Sequence, residues 1–240
     1  MKFAVALLVL ARFIARADEP RTFTPAEYQL APVYVHLLAS DDEPALRTTL
    51  EESDIERIFG KVNRVWSQAG LGFYLAAVIR EPPSQIDGES AGAQEPGRGL
   101  LPFIPAASHR EGQFNIYYIK EFGPNGVYFP RAIFVKDTAS LRRVEGGIDE
   151  PIPRVTSHEL GHALGLPHRQ DTSNLMASGT TGTTLNAEEI ETTRARALEL
   201  GRFRPVAELR GEADGLEKNG DPKAAARLRQ AIAGLSFTGG

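Results

Sequence analysis

The eleven residues from 158 to 168, His-Glu-Leu-Gly-His-Ala-Leu-Gly-Leu-Pro-His, constrain this chain more than any other stretch. Residues four apart on a helix share a face, so His158 and His162 can aim ring nitrogens at one ion. Glu159, beside the first of them, can reach a water on that ion rather than the ion itself. Gly165 is where the helix should stop, because a residue without Cβ readily takes the left-handed conformation that turns the chain. That turn brings His168 round as a third ligand and leaves the fourth tetrahedral position for water. At this chain's own residue frequencies the pattern arises by accident on the order of 10⁻⁵ times. A structural zinc site usually closes with four protein ligands, often Cys, and the chain has no cysteine. The expectation is one catalytic Zn2+ on His158, His162 and His168, with Glu159 as the base. Nothing in the sequence indicates a calcium site.

These residues resemble the extended motif of the metzincin zinc metalloendopeptidases, in which a methionine-bearing turn follows beneath the metal. Met176, in Ser173-Asn174-Leu175-Met176-Ala177-Ser178-Gly179, is the only methionine besides Met1 and stands eight residues after His168. The resemblance spans roughly residues 30 to 200, although its specific residues occupy 158 to 176. It implies an α/β (α+β) zincin fold, with a twisted mixed sheet of about five strands and two or three main helices. It also implies an endopeptidase in which Glu159 activates a zinc-bound water against a peptide bond. A polypeptide substrate would lie extended along the sheet's edge strand, near Val127 to Phe134. Ala177 to Gly182 would wall the pocket for the residue after the cut bond, small and uncharged, so an apolar residue should fit. Two positions depart from the better-known branches. Arg169 follows the third histidine, and Ser178 stands where astacin-like and serralysin-like members carry a tyrosine ligand. The subfamily therefore stays unassigned. Two other functions remain compatible with the motif: a catalytically quiet zinc-binding interaction module, and a zinc amidase acting on a non-peptide substrate.

The N-terminus bears on location. Met1-Lys2 is a short positive start, Phe3 to Ala11 is an unbroken apolar run, and Ala15-Arg16-Ala17 offers a small-x-small cleavage site. The run breaks at Arg12 and is half the length a spanning helix needs. Residues 1–17 thus read as a signal peptide, with the mature protein exported, secreted or periplasmic, and without a stable membrane anchor. Between Asp18 and Val33 there is little room for a pro-segment. The formal charge of −4 and the lack of any basic run give nucleic acid no footing as a partner. Oligomeric state is not legible.

Periodicity places the elements coarsely. Val33 to Leu38 is an apolar strand. Ser53-Asp54-Ile55-Glu56 has capping-box spacing and should open a helix whose Ile55, Ile58, Phe59, Val62, Val65, Trp66 and Ala69 share one buried face, ending at Gly70. Leu71 to Val78, Phe114 to Lys120 and Val127 to Lys136 read as strands, the last interrupted by Pro130. Residues 81 to 112 read as one long loop. His36 and His109, without evident metal partners, read as structural. Asn186 should cap a further helix of about 15 residues. Residues 18–200 form the expected catalytic domain. In 201–240, Val206 to Leu216 and Ala225 to Leu235 mark a C-terminal helical hairpin, expected to pack rather than to recognise peptides.

Overall fold

The computed structural model describes residues 22–84 and 98–235. The signal segment at 1–17 and the middle of the expected 81–112 loop lie outside the described residues. Five strands form one sheet: β1 (Gln29–Leu38), β2 (Leu71–Glu81), β3 (Phe114–Ile119), β4 (Gly126–Phe129) and β5 (Ala132–Lys136). Their spatial order is β2-β1-β3-β5-β4, with a two-residue β6 (Arg204–Pro205) added against the start of β1. The pairings of β1 with β2, β1 with β3 and β3 with β5 are parallel, whereas β4 runs antiparallel to β5 at the edge. Among the described residues, five α-helices pack with the sheet: α1 (Glu52–Trp66), α2 (Pro151–Ala163), α3 (Ala187–Leu200), α4 (Val206–Lys218) and α5 (Pro222–Ala233). This is the expected mixed α/β architecture.

Strand alternation divides the interior into two cores. Val33, Val35 and Leu37 of β1, with Ile116 and Tyr118 of β3, face one way and meet α1 and α2. Leu38, Tyr117, Ile119 and Phe134 face the other way, against Leu46, Leu100 and Ile104. The second core explains why the 81–112 segment is not simply a loop. Its first residue completes β2, and Arg98–Phe103 forms a 3-10 turn that lays Leu100 on the sheet. Short turns of this kind carry too few residues to show a period.

The helix expected after Ser53 starts two residues earlier, at Glu52. The Glu51 carboxylate accepts from the third helical N–H, and Asp54 Oδ2 accepts from the Glu51 N–H at 2.9 Å. A carboxylate thus does at Glu51 what a hydroxyl was expected to do at Ser53. Its apolar stripe is as read, with Trp66 fully buried. At the C-terminus, Asp221 caps α5 through Ala224 N–H at 3.0 Å, and Leu209, Ala213, Leu228 and Ile232 enter the same core as α1. Lys223 and Arg227 of α5 both reach Glu52 of α1. The hairpin therefore packs on the sheet and α1.

Candidate metal centre

Helix α2 begins Pro151-Ile152-Pro153, where the missing N–H groups fall in the first turn and cost no helical bond. It is buried nearly all round, so its polar side chains need partners inside the protein. Ser157 Oγ donates to Pro153 O at 2.8 Å, and Thr156 Oγ1 pairs with Tyr118 OH at 2.9 Å. The helix ends at Ala163, and Gly165 takes φ 87°. Gly165 N–H donates to His162 O at 3.0 Å and Leu166 N–H to Gly161 O at 2.9 Å. Those two bonds make a Schellman stop, which reverses the chain toward His168.

His162 Nε2 lies 3.2 Å from His158 Nε2 and 3.2 Å from His168 Nε2. The opposite nitrogens are tied to the backbone: His158 Nδ1 to Leu175 O at 2.8 Å, and His162 Nδ1 to Leu166 O at 2.9 Å. A carbonyl can only accept, so both rings carry their proton on Nδ1 and present an Nε2 lone pair. Burial is the main cause lowering both side-chain pKa values, that of His158 to about 3. Both rings are therefore neutral, as metal ligation requires. Three mutually close acceptors repel one another unless a cation sits among them. Zinc–nitrogen distances of 2.0–2.1 Å at tetrahedral angles put ligand nitrogens about 3.3 Å apart, so the donor set fits Zn2+.

Glu159 points from the same helix turn and is 6% exposed. Burial raises its pKa to about 8, against the opposing pull of Arg154 and a backbone hydrogen bond from Tyr128 of β4. A dication at the three histidines would favour the carboxylate form. On one side of Glu159 and His168 an open cleft of about 560 Å³ runs beside Gly126, Val127 and Tyr128 of the edge strand. On the other side a cavity of about 240 Å³ is lined by Leu141, Arg154, Ser178 and Gly179. The wall expected from Ala177 to Gly182 is thus shorter, since Thr180 and Thr181 turn inward and are buried. It is also not free of charge, because Arg154 stands in it.

Several residues that shape the centre escaped the sequence reading. Arg154, 2% exposed, donates Nε to Gly182 O at 3.1 Å and Nη2 to Ala177 O. Its Nη1 lies 3.1 Å from His158 Nδ1, which already donates to Leu175, so that approach is a charge–dipole contact. One guanidinium thus clamps the loop after Met176 to the ligand helix. Gly161 has the opposite role: a Cβ there would stand 2.5 Å from Met176 Sδ. Met176 is fully buried against Gly161 of the ligand helix. A glycine inside a helix is the signal that could have revealed this packing. A Cβ at Gly126 would likewise meet Glu159 Oε1 at 2.7 Å.

Arg169, the first departure from the family pattern, proves to be structural. It donates Nε to Glu189 Oε1 at 2.8 Å, and its backbone N–H to Met176 O at 3.0 Å. His36 and His109 lie away from the centre. His36 Nδ1 meets Glu81 Oε1 at 2.7 Å, and His109 Nδ1 meets Tyr117 OH at 3.0 Å.

No protein-family model matches this sequence, and no curated protein matches it significantly. Solved structures do match. The archaemetzincin of Methanopyrus kandleri is 14% identical, covering 72% of this chain and 97% of its own, with a TM-score of 0.44. A chaperone–substrate complex is 11% identical over 72% of this chain and 35% of that one, with a TM-score of 0.48. Values this low carry no argument about function. The chemistry rests on three histidines and a glutamate.

Proposed function

We propose that this chain is an exported zinc endopeptidase of the metzincin type. The observation that carries the reading is the convergence of three imidazole Nε2 atoms beside a buried carboxylate, in a cleft bordered by an open strand edge. His158, His162 and His168 would hold the ion. When bound, zinc supplies a Lewis acid that lowers the pKa of water and offsets charge on an oxyanion. Glu159 Oε takes the attacking water's proton and passes it to the leaving amine, and the Tyr128 N–H favours its carboxylate form against the effect of burial. The unpaired edge of β4 offers backbone donors and acceptors to an extended peptide.

Export rests on residues 1–17 of the sequence. No helix among the described residues is long and apolar enough to cross a membrane. N-terminal sequencing of the product recovered outside the expressing cells should begin at Asp18. Casein and mixed peptides should be cut by zinc-loaded protein, with cleavage abolished by phenanthroline and restored by zinc. Glu159→Gln should keep zinc, by elemental analysis, and lose at least about 10²-fold of the activity. Tight zinc binding without any peptide cleavage would instead identify an interaction module or an amidase.

A further inference from the structure

Tyr128, which lines the cleft beside Glu159, also lines a second, smaller cavity of about 110 Å³. Three arginines, Arg131, Arg196 and Arg202, are among the residues that line this cavity, and no Asp or Glu is. In a chain of net charge −4 such a grouping is against the average. Arg196 is held by Glu199 at 2.8 Å, an exposed pair of little strength. Arg202 is half-buried with its guanidinium 4.9 Å from the Phe114 ring centre, and no carboxylate among the described residues pairs with it. Burial is the main cause lowering its pKa, opposed by Tyr128 and aided by the nearby Arg196 charge. Gln113 adds a buried side-chain oxygen without a partner, and the same amide turned over presents N–H donors instead. All these features favour an incoming anion.

From the geometry we infer that this cavity is a substrate subsite for a carboxylate side chain, Asp or Glu, of the peptide lying on β4. The inference rests on the peptidase reading and deepens it. Tyr128 gives its N–H to Glu159, which sets the level of the cut bond, and Arg131 sits in the tight turn between Phe129 and its partner Ala132. The turn lies one to two strand residues of about 3.3 Å beyond Tyr128, which places Arg131 roughly two substrate residues away. Antiparallel pairing is the more stable arrangement on an edge, and it puts those residues before the cut bond. A charge-assisted pair with a half-buried guanidinium is worth about 10-fold or more in affinity over a neutral amide.

The test uses full-length, zinc-loaded protein carrying Glu159→Gln, so that peptides bind without being cut. Fluorescent peptides with a single Glu at each position in turn are compared with their Gln counterparts by anisotropy. One register should bind about 10-fold more tightly with Glu. Arg202→Gln should erase that difference and leave the Gln peptides unchanged, Arg131→Gln should reduce it, and Arg202→Lys should keep most of it. Digestion of the same peptides by the unaltered chain then locates the cut. Equal or undetectable binding of Glu and Gln peptides, or a preference placed after the cut bond, overturns the subsite. An Arg202-dependent Glu preference on peptides that are never cut leaves the subsite standing and overturns the peptidase reading.

Discussion

Arg169 donates Nε to the fully buried carboxylate of Glu189 at 2.8 Å, joining the residue after the third histidine to the first turn of α3. Glu189 also accepts from Asn174 Nδ2 at 2.8 Å and from the Asn186 N–H at 3.0 Å, so one carboxylate holds loop, turn and helix cap together. Asn174 in turn accepts from the Met176 N–H at 2.7 Å. The floor of the metal centre is thus fixed from α3.

Arg169→Met should leave Glu189 short of a donor and cost about 1–3 kcal/mol of stability, measured by urea unfolding. Zinc affinity should fall with it, since the Met176 carbonyl loses register with Arg169. Arg169→Lys should recover little, because a single ammonium cannot replace a fork that also reaches Glu188 at 3.2 Å. A lysine variant of unchanged stability would mean that charge alone suffices.

Gly161 and Met176 test packing in the same place. Gly161→Ala puts a methyl where Met176 Sδ now lies, and overpacking of a closed interior costs about 1–3 kcal/mol. Truncating the methionine should relieve that clash, so Gly161→Ala with Met176→Ala should cost less than the sum of the two single changes. Strict additivity in thermal melts would show that the two side chains do not compete for space.

The zinc motif was legible because its spacing is a helical period closed by a glycine stop, and both are local. The sheet was legible for the same reason: β-rich apolar runs at 33–38 and 71–78 fall inside β1 and β2, and the run at 114–120 overruns β3 by one residue. What sequence could not show was long-range and polar. Arg154 reaches loop carbonyls more than twenty residues away, and Glu81 meets His36 across 45 residues. A buried guanidinium has no periodic signature. The helix cap at Glu51 was missed because carboxylate caps rank with, rather than above, the serine two residues later.

Acid should loosen the C-terminal hairpin. Lys223 Nζ lies 2.8 Å from Glu52, and with Arg227 it holds the Glu52 carboxyl below its usual value of 4.5. A depressed carboxylate contributes stability that is present above the unfolded pKa and lost as pH falls through the folded one. The melting temperature of the natural chain should therefore exceed that of Glu52→Gln at pH 6–7. The gap should close progressively below about pH 4.5. A gap that persists unchanged at pH 3 would assign the effect to packing rather than charge.

Truncation after Gly201 removes Arg202, β6, α4 and α5 while sparing every residue of the metal centre, so short peptides without Asp or Glu are the substrates to use. Short peptides should then still be cut if the hairpin were only an appendage. The structure argues otherwise, since Leu209 and Leu228 are fully buried and Ile232 nearly so, in the core shared with Phe59 and Phe73. Each such side chain contributes about 1.5–3 kcal/mol on burial, and an entire domain is stable by only about 5–15 kcal/mol. The truncated chain should melt far below the intact one or fail to fold, and its activity should follow its folded fraction. Measuring cleavage and circular dichroism on the same sample separates the two cases. A truncated protein that stays folded and loses all cleavage would instead give the hairpin a part in the site itself.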